Sequence, residues 1–282
     1  MRLTVPTPLG DIAVRAHGEP GTSAVLLLHA NPGDGRDFDA VLPALADRHR
    51  TFVVDWPGFG DSTASEPGRV TPERLVDVAE RVLDVLAAEQ GVRRIAVVGN
   101  SVGGYVACRL AEGRHARAVT ALVLVDPAGF TRLSPLTRWF CREVMGRPAR
   151  ARRLVVPLAR LYLGELRTPS ARATYRRARQ LPGNTTRLAV HCAIWRGFAE
   201  PGFGLRDPGA LRIPVLLLWG SRDPVVPALL DGRRARRALP AHTVSVVLPA
   251  AHEAYNERPD LFLRHTLPFL KNPAGVGAVR PG

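Results

Sequence analysis

An α/β fold is what this sequence predicts: a mostly parallel sheet with helices on both faces, plus an inserted helical cap. Three observations predict it. Residues 24–29, 51–55, 94–99 and 120–126 are nearly continuous runs of Val, Leu and Ile, as strands covered on both faces require. Stretches of helical periodicity alternate with them. The alternation stops after Pro127 and resumes at Ile213.

Taken in order, residues 11–16 read as a strand ahead of these four. Residues 72–90 carry Leu75, Val78, Ala79, Val82, Leu83, Val85 and Leu86 at helical spacing. Thr71 supplies an N-cap before Pro72, and Gly91 closes the helix. A second helix spans 102–112. Residues 128–212 show no strand pattern, are rich in Arg, Ala, Leu and aromatics, and are interrupted by Pro148, Pro157, Pro169 and Pro182. A structureless loop of that length does not suit a compact domain, so the segment reads as an insert of about four helices. Residues 214–219 and 243–248 then form strands, and 225–239 and 257–270 form helices. The expected organisation is a core of 1–127 and 213–271, a cap of 128–212, and a flexible Gly/Pro-rich tail at 272–282.

With 46% apolar and 23% charged residues among 282, the chain has the composition of a folded protein with a sizeable core. Its longest apolar runs fall far short of the roughly 20 residues that span a bilayer. No apolar stretch with a small-residue cleavage site follows the N-terminus, so a cytoplasmic location is expected. Cys108, Cys141 and Cys192 are widely spaced and odd in number, which suggests neither a disulfide framework nor a zinc site. The net charge is +14, yet Lys271 is the one lysine; the arginine bias is that of a GC-rich coding sequence. The densest run, Arg233-Arg234-Ala235-Arg236-Arg237, reads as a solvated helix face, and no nucleic-acid-binding signature accompanies it. A small-molecule substrate is therefore expected, with neither nucleic acid nor membrane as partner. A homodimer is left open.

The chemistry-bearing segment is Gly99-Asn100-Ser101-Val102-Gly103, between a strand and a helix. A serine on so sharp a turn needs small neighbours and has its hydroxyl held at the end of the sheet. Serine becomes a nucleophile only beside a base. His252, after the last strand, is the candidate, and it needs a carboxylate to fix its tautomer. Asp223 and Asp126 both end strands on the same side; Asp223 is favoured, and the other would then be a capping carboxylate. Asp55 reads as a turn-former. For an oxyanion hole, the Val102 N–H lies at a helix N-terminus, and the loop His29-Ala30-Asn31-Pro32-Gly33 offers a second donor, Asn31 ahead of Ala30.

In these pieces the chain resembles the α/β-hydrolase superfamily, in its capped, esterase- and epoxide-hydrolase-like branch. The likeness covers roughly 9–271. It rests on residues 29–33, 55–62 (Asp-Trp-Pro-Gly-Phe-Gly-Asp-Ser), 99–104, 220–224 (Gly-Ser-Arg-Asp-Pro) and His252 followed by Glu257-Arg258-Pro259. The resemblance implies an eight-stranded sheet and a Ser101–His252–Asp223 triad beneath a helical lid. Three departures stand out. Ala30 replaces a common glycine. Ser101 stands where haloalkane dehalogenases and epoxide hydrolases carry aspartate. The Gly-Asn-Ser elbow is similar to that of carbon–carbon hydrolases, but Glu253 stands where those usually have tryptophan.

The expected reaction is acyl transfer through an acyl-enzyme, with no metal or organic cofactor; Asn256 breaks any HExxH pattern at His252. His29, Ala30, Trp56, Asn100 and Tyr105 are expected at the substrate, with cap aromatics Trp139, Phe140, Tyr162, Tyr175, Trp195, Phe198 and Phe203 as further walls. His191 is a candidate for the same pocket, and an inward-facing cap arginine is a candidate anchor for a substrate carboxylate. The expected substrate is a small, largely apolar ester, thioester or activated ketone. The alternative keeps the pocket but not the hydrolysis: a lyase, cyclase, perhydrolase, acyltransferase or ligand sensor.

Overall fold

A computed structural model describes residues 1–273 and Gly275. The tail expected at 272–282 therefore lies outside the described residues, apart from Asn272, Pro273 and Gly275. The strands are β1 (Arg2–Thr7), β2 (Gly10–His17), β3 (Ala24–Leu28), β4 (Arg50–Val54), β5 (Ile95–Asn100), β6 (Val119–Val125), β7 (Val215–Gly220) and β8 (Val244–Leu248). They form one sheet in the order β1-β2-β4-β3-β5-β6-β7-β8. The β1–β2 and β2–β4 pairs are antiparallel and the rest parallel, which is the mostly parallel eight-stranded sheet expected. β1 was not read from the sequence because it is a half-exposed edge strand with only Val5 fully buried.

Helices α1 (Leu42–Ala46), α2 (Pro72–Gln90) and α3 (Val102–Glu112) follow β3, β4 and β5. Thr71 accepts the Arg74 N–H as N-cap of α2, and Gly91 ends it at φ 67°. Leu75, Ala79, Val82 and Leu86 of α2 and Val106 and Leu110 of α3 pack on one face of the sheet. The other face is covered by Leu42 and Leu45 and, from the C-terminal helix, Phe262 and Phe269.

The insert between β6 and β7 is a helical cap: α4 (Pro135–Trp139) running on through a π-turn (Phe140–Met145), α5 (Pro148–Tyr162), α6 (Pro169–Gln180) and α7 (Thr185–Gly197). Pro148 and Pro169 open helices, where a missing N–H costs nothing, and Pro182 lies in the 3-10 turn Leu181–Gly183 between α6 and α7. Pro157 does not break the chain as expected; it sits inside α5 on the exposed side. The helix expected at 225–239 begins only at Ala228, with a π-turn (Ala228–Gly232) leading into α8 (Arg233–Ala238). Pro227 is extended, at φ −59° and ψ 130°, so the helical backbone starts only after it. The last helix is split at Pro259 into α9 (Ala254–Glu257) and α10 (Pro259–Lys271). Among the described residues, no helix is long and apolar enough to cross a membrane.

Candidate active site

Ser101 occupies the one-residue step between β5 and α3, at φ 54° and ψ −117°. Few non-glycine residues hold positive φ, and here the turn is enforced by contacts that only glycine permits. A Cβ on Gly99 would lie 2.3 Å from the Gly103 carbonyl oxygen, and one on Gly103 would lie 2.2 Å from that of Leu28. Val102, as first residue of α3, has no intrahelical acceptor for its N–H.

Asp223 and His252 come from the loops after β7 and β8. Asp223 Oδ2 lies 2.7 Å from His252 Nδ1, and both side chains are buried. The second Asp223 oxygen accepts the Val225 and Val226 N–H groups, which fixes the carboxylate plane. A proton on Nδ1 facing that carboxylate leaves Nε2 as the basic nitrogen of the imidazole. Asp126 stands beside this pair: one oxygen from each carboxylate and one ring nitrogen lie within 4.8 Å of one another. Its Oδ1 accepts the Gly220 N–H at 2.8 Å, which ties β6 to β7. Complete burial, then the nearby Asp223 charge, push the Asp126 carboxyl well above the usual range, which favours its neutral form.

His29 and Trp56 brace the loop after β3 rather than facing a ligand. The Trp56 N–H donates to His29 Nε2 at 3.0 Å, so the ring proton sits on Nδ1 and donates to the Ala30 carbonyl. The Trp56 indole N–H donates to the His29 carbonyl. Asp55 accepts from the Gly35 and Asp61 N–H groups, joining two loops. Asn100 is also buried: its amide donates to the Val125 and His252 carbonyls, and its oxygen accepts from Tyr255. It is a strut between elbow and histidine loop.

Ser101 and His252 line a single cavity of about 230 Å³, together with Ala30, Asn31 and Pro32. Cap residues Phe140, Tyr162, His191, Trp195, Phe198 and Phe203 complete its walls. His29, Trp56, Asn100, Tyr105, Trp139 and Tyr175, all expected there, do not line it. Tyr105 is fully buried behind the wall, its ring 4.7 Å from that of Phe203. Trp139 is 53% exposed on the outer side of α4, and Tyr175 packs against the Ala159 and Tyr162 cluster. Much of the remaining lining is aliphatic and was missed: Leu133, Met145, Val155, Leu158, Leu161, Val225 and Val226. Such residues carry no sequence signal beyond periodicity. Among the described residues no Arg, Lys, Asp or Glu lines the cavity, so the cap arginine considered as a carboxylate anchor is not there.

Three cap helices hold the loop after β3. From α7, His191 Nδ1 lies 3.2 Å from Asn31 Oδ1, and Asn31 Nδ2 donates to the His191 carbonyl at 3.3 Å. From α5, the Tyr162 carbonyl accepts the His252 N–H and its hydroxyl lies 3.5 Å from the Pro32 carbonyl. From α6, Arg177 and Thr174 donate to Asp37, and Arg177 lies 3.4 Å from Asp34. Among the described residues, the Ala30 and Asn31 N–H groups donate to nothing.

The sequence model for the α/β hydrolase fold matches residues 23–259. The chain is 30% identical over 250 residues to the dihydrolipoyllysine-residue acetyltransferase component of the acetoin cleaving system of Cupriavidus necator. That match takes in 86% of this chain but 62% of the relative, so the chain spans about three fifths of its length. It is 27% identical to the 2-hydroxy-6-oxo-6-(2'-aminophenyl)hexa-2,4-dienoic acid hydrolase of Metapseudomonas resinovorans, over 89% of this chain and 85% of that one. A thermophilic esterase from Thermogutta terrifontis superposes with a TM-score of 0.75 at 26% identity, over 96% of this chain and 98% of the other.

Proposed function

The chain belongs to the α/β-hydrolase fold family, and from that premise we propose that it is a serine hydrolase cleaving small, largely apolar esters, thioesters or activated ketones. One observation carries the reading: His252, paired with the buried Asp223, and a serine on a strained turn line the same apolar cavity. In this mechanism His252 Nε2 takes the Ser101 proton as the hydroxyl oxygen attacks the substrate carbonyl. Asp223 holds the imidazole in the required tautomer and stabilises the imidazolium. The Val102 and Asn31 N–H groups stabilise the oxyanion. His252 then returns the proton to the leaving group and activates water against the acyl-enzyme. Because no Arg, Lys, Asp or Glu among the described residues lines the cavity, the acyl group is uncharged.

p-Nitrophenyl esters of increasing chain length test this. The wild type is expected to turn over the short and medium acyl esters, with Ser101→Ala slower by about 10³-fold or more. Wild-type rates no higher than those of Ser101→Ala at every chain length would sink the hydrolase reading. The acetyltransferase name of the Cupriavidus necator relative supports one second reading, transfer of the acyl group to an acceptor other than water. Product analysis with an added thiol separates the two: a thioester product means transfer, free acid alone means hydrolysis.

A further inference from the structure

His191 is 1% exposed, lies on the cavity wall, and its ring nitrogen Nδ1 is directed to Asn31 rather than to Ser101, His252 or Asp223. Its Nε2 is buried without a partner. An unsatisfied buried nitrogen is unfavourable, and packing against Trp195 would be met as well by leucine or phenylalanine. What histidine adds is the contact from its ring Nδ1 to the Asn31 side-chain oxygen; the bond from the Asn31 amide to the main-chain carbonyl of residue 191 does not depend on the side chain there. We propose that His191 is a positioning residue for the oxyanion loop: by gripping the Asn31 side chain from α7, it holds the Asn31 backbone N–H ready for the substrate oxyanion. The oxyanion donor is then complete only while the cap is seated.

The chemistry of the ring fits the task. Burial pushes the His191 pKa down to about 3, so the ring is neutral through the working range, and a neutral ring with its proton on Nδ1 donates to Asn31 Oδ1. Because Asn31 supplies a backbone donor, the loss of its side-chain anchor leaves the donor chemically present but misplaced. A misplaced donor weakens transition-state stabilisation more than ground-state binding.

This inference rests on the serine-hydrolase reading, and the experiment has two arms so that each can fail separately. In the kinetic arm, His191→Leu is expected to lower kcat on p-nitrophenyl butyrate by about 10- to 100-fold with KM changed less than about threefold. His191→Asn, whose amide nitrogen can take the place of Nδ1, is expected to recover most of the loss. Asn31→Ala combined with His191→Leu should be no slower than the slower of the two single variants. A change confined to KM, failure of His191→Asn to rescue, or multiplying losses in the double variant would each overturn it. In the second arm, amide hydrogen exchange of residues 29–34 is followed without substrate. Exchange should quicken in His191→Leu and stay at the wild-type rate in His191→Asn; unchanged exchange in both overturns the proposal, whatever the esterase result.

Discussion

Asp126 and Asp223 lie side by side, but their environments differ. Asp223 accepts two backbone N–H groups on one oxygen and faces the imidazole with the other. Asp126 is fully buried beside it, burial and then the Asp223 charge favour its neutral form, and one of its oxygens is spent on the Gly220 N–H. Asparagine is close to a copy of a neutral aspartic acid. Asp126→Asn is therefore expected to keep kcat/KM on a p-nitrophenyl ester within about tenfold of wild type. Asp223→Asn, which favours the wrong tautomer of His252, should cost about 10³- to 10⁴-fold. Equal losses in the two variants would mean that the acid role had been assigned to the wrong carboxylate. The sequence narrowed the acid to this pair because both end strands on one side, and it favoured Asp223. It did not settle the choice, since what distinguishes the two is a 2.7 Å contact between Asp223 and His252 that strand position alone does not reveal.

At the scale of elements, the cap is joined to the core by polar contacts as well as apolar ones, and α6 carries the most concentrated set. Arg177 and Thr174 both donate to Asp37, a fully buried carboxylate, and Asn256 donates to Thr174. Arg177→Met would leave Asp37 without its cation. The expected loss of unfolding free energy is about 3 kcal/mol, less than for a wholly buried pair because the Arg177 side chain keeps 19% of its exposure. Urea unfolding of this variant within about 0.5 kcal/mol of wild type would show that the contact does not anchor the cap. Adding Asp37→Asn should recover part of the loss, since the unpaired group is then uncharged. Elements with continuous apolar runs or helical periodicity were legible in the sequence: β3 to β7, α2 and α3 all stand within a residue or two of expectation. The errors fall at prolines, whose effect depends on the surrounding backbone. Pro227 is extended and holds the helix before α8 back to Ala228, whereas α5 runs on through Pro157, which lies on its exposed side.

Across the whole molecule, charge is divided unevenly. Residues 128–212 hold seventeen arginines against four acidic residues, a net of +13 out of the chain's +14. None of that charge lines the cavity, so the basic composition and the apolar site belong to opposite sides of the same helices. The Ser, His and Asp candidates were legible from strand ends and turns; the cavity wall was not, because which side of a cap helix faces inward depends on docking. Ionisable groups buried at that docking surface also set how stability responds to pH. Glu253 is 1% exposed, one of its oxygens accepts from Asn256 and the other has no partner. Burial first, then the nearby Asp37 charge, raise its pKa well above the ordinary value. A group whose pKa is raised on folding favours the folded state below its unfolded pKa, and that contribution is lost as pH rises towards the folded pKa. Below about pH 4.5 Glu253 is protonated in both states and has no differential effect. Above it, the unfolded chain ionises while the folded one does not, and about 1.4 kcal/mol is lost per pH unit. Net positive charge changes stability with pH as well, but equally in a neutral variant. The comparison that isolates Glu253 is therefore Glu253→Gln against wild type. The difference in Tm is expected to be small at pH 4.5 and to grow in favour of the variant by roughly 3 °C per pH unit through the mildly acidic range. A difference that stays flat across that range would mean that Glu253 ionises as readily in the folded protein as in the unfolded chain.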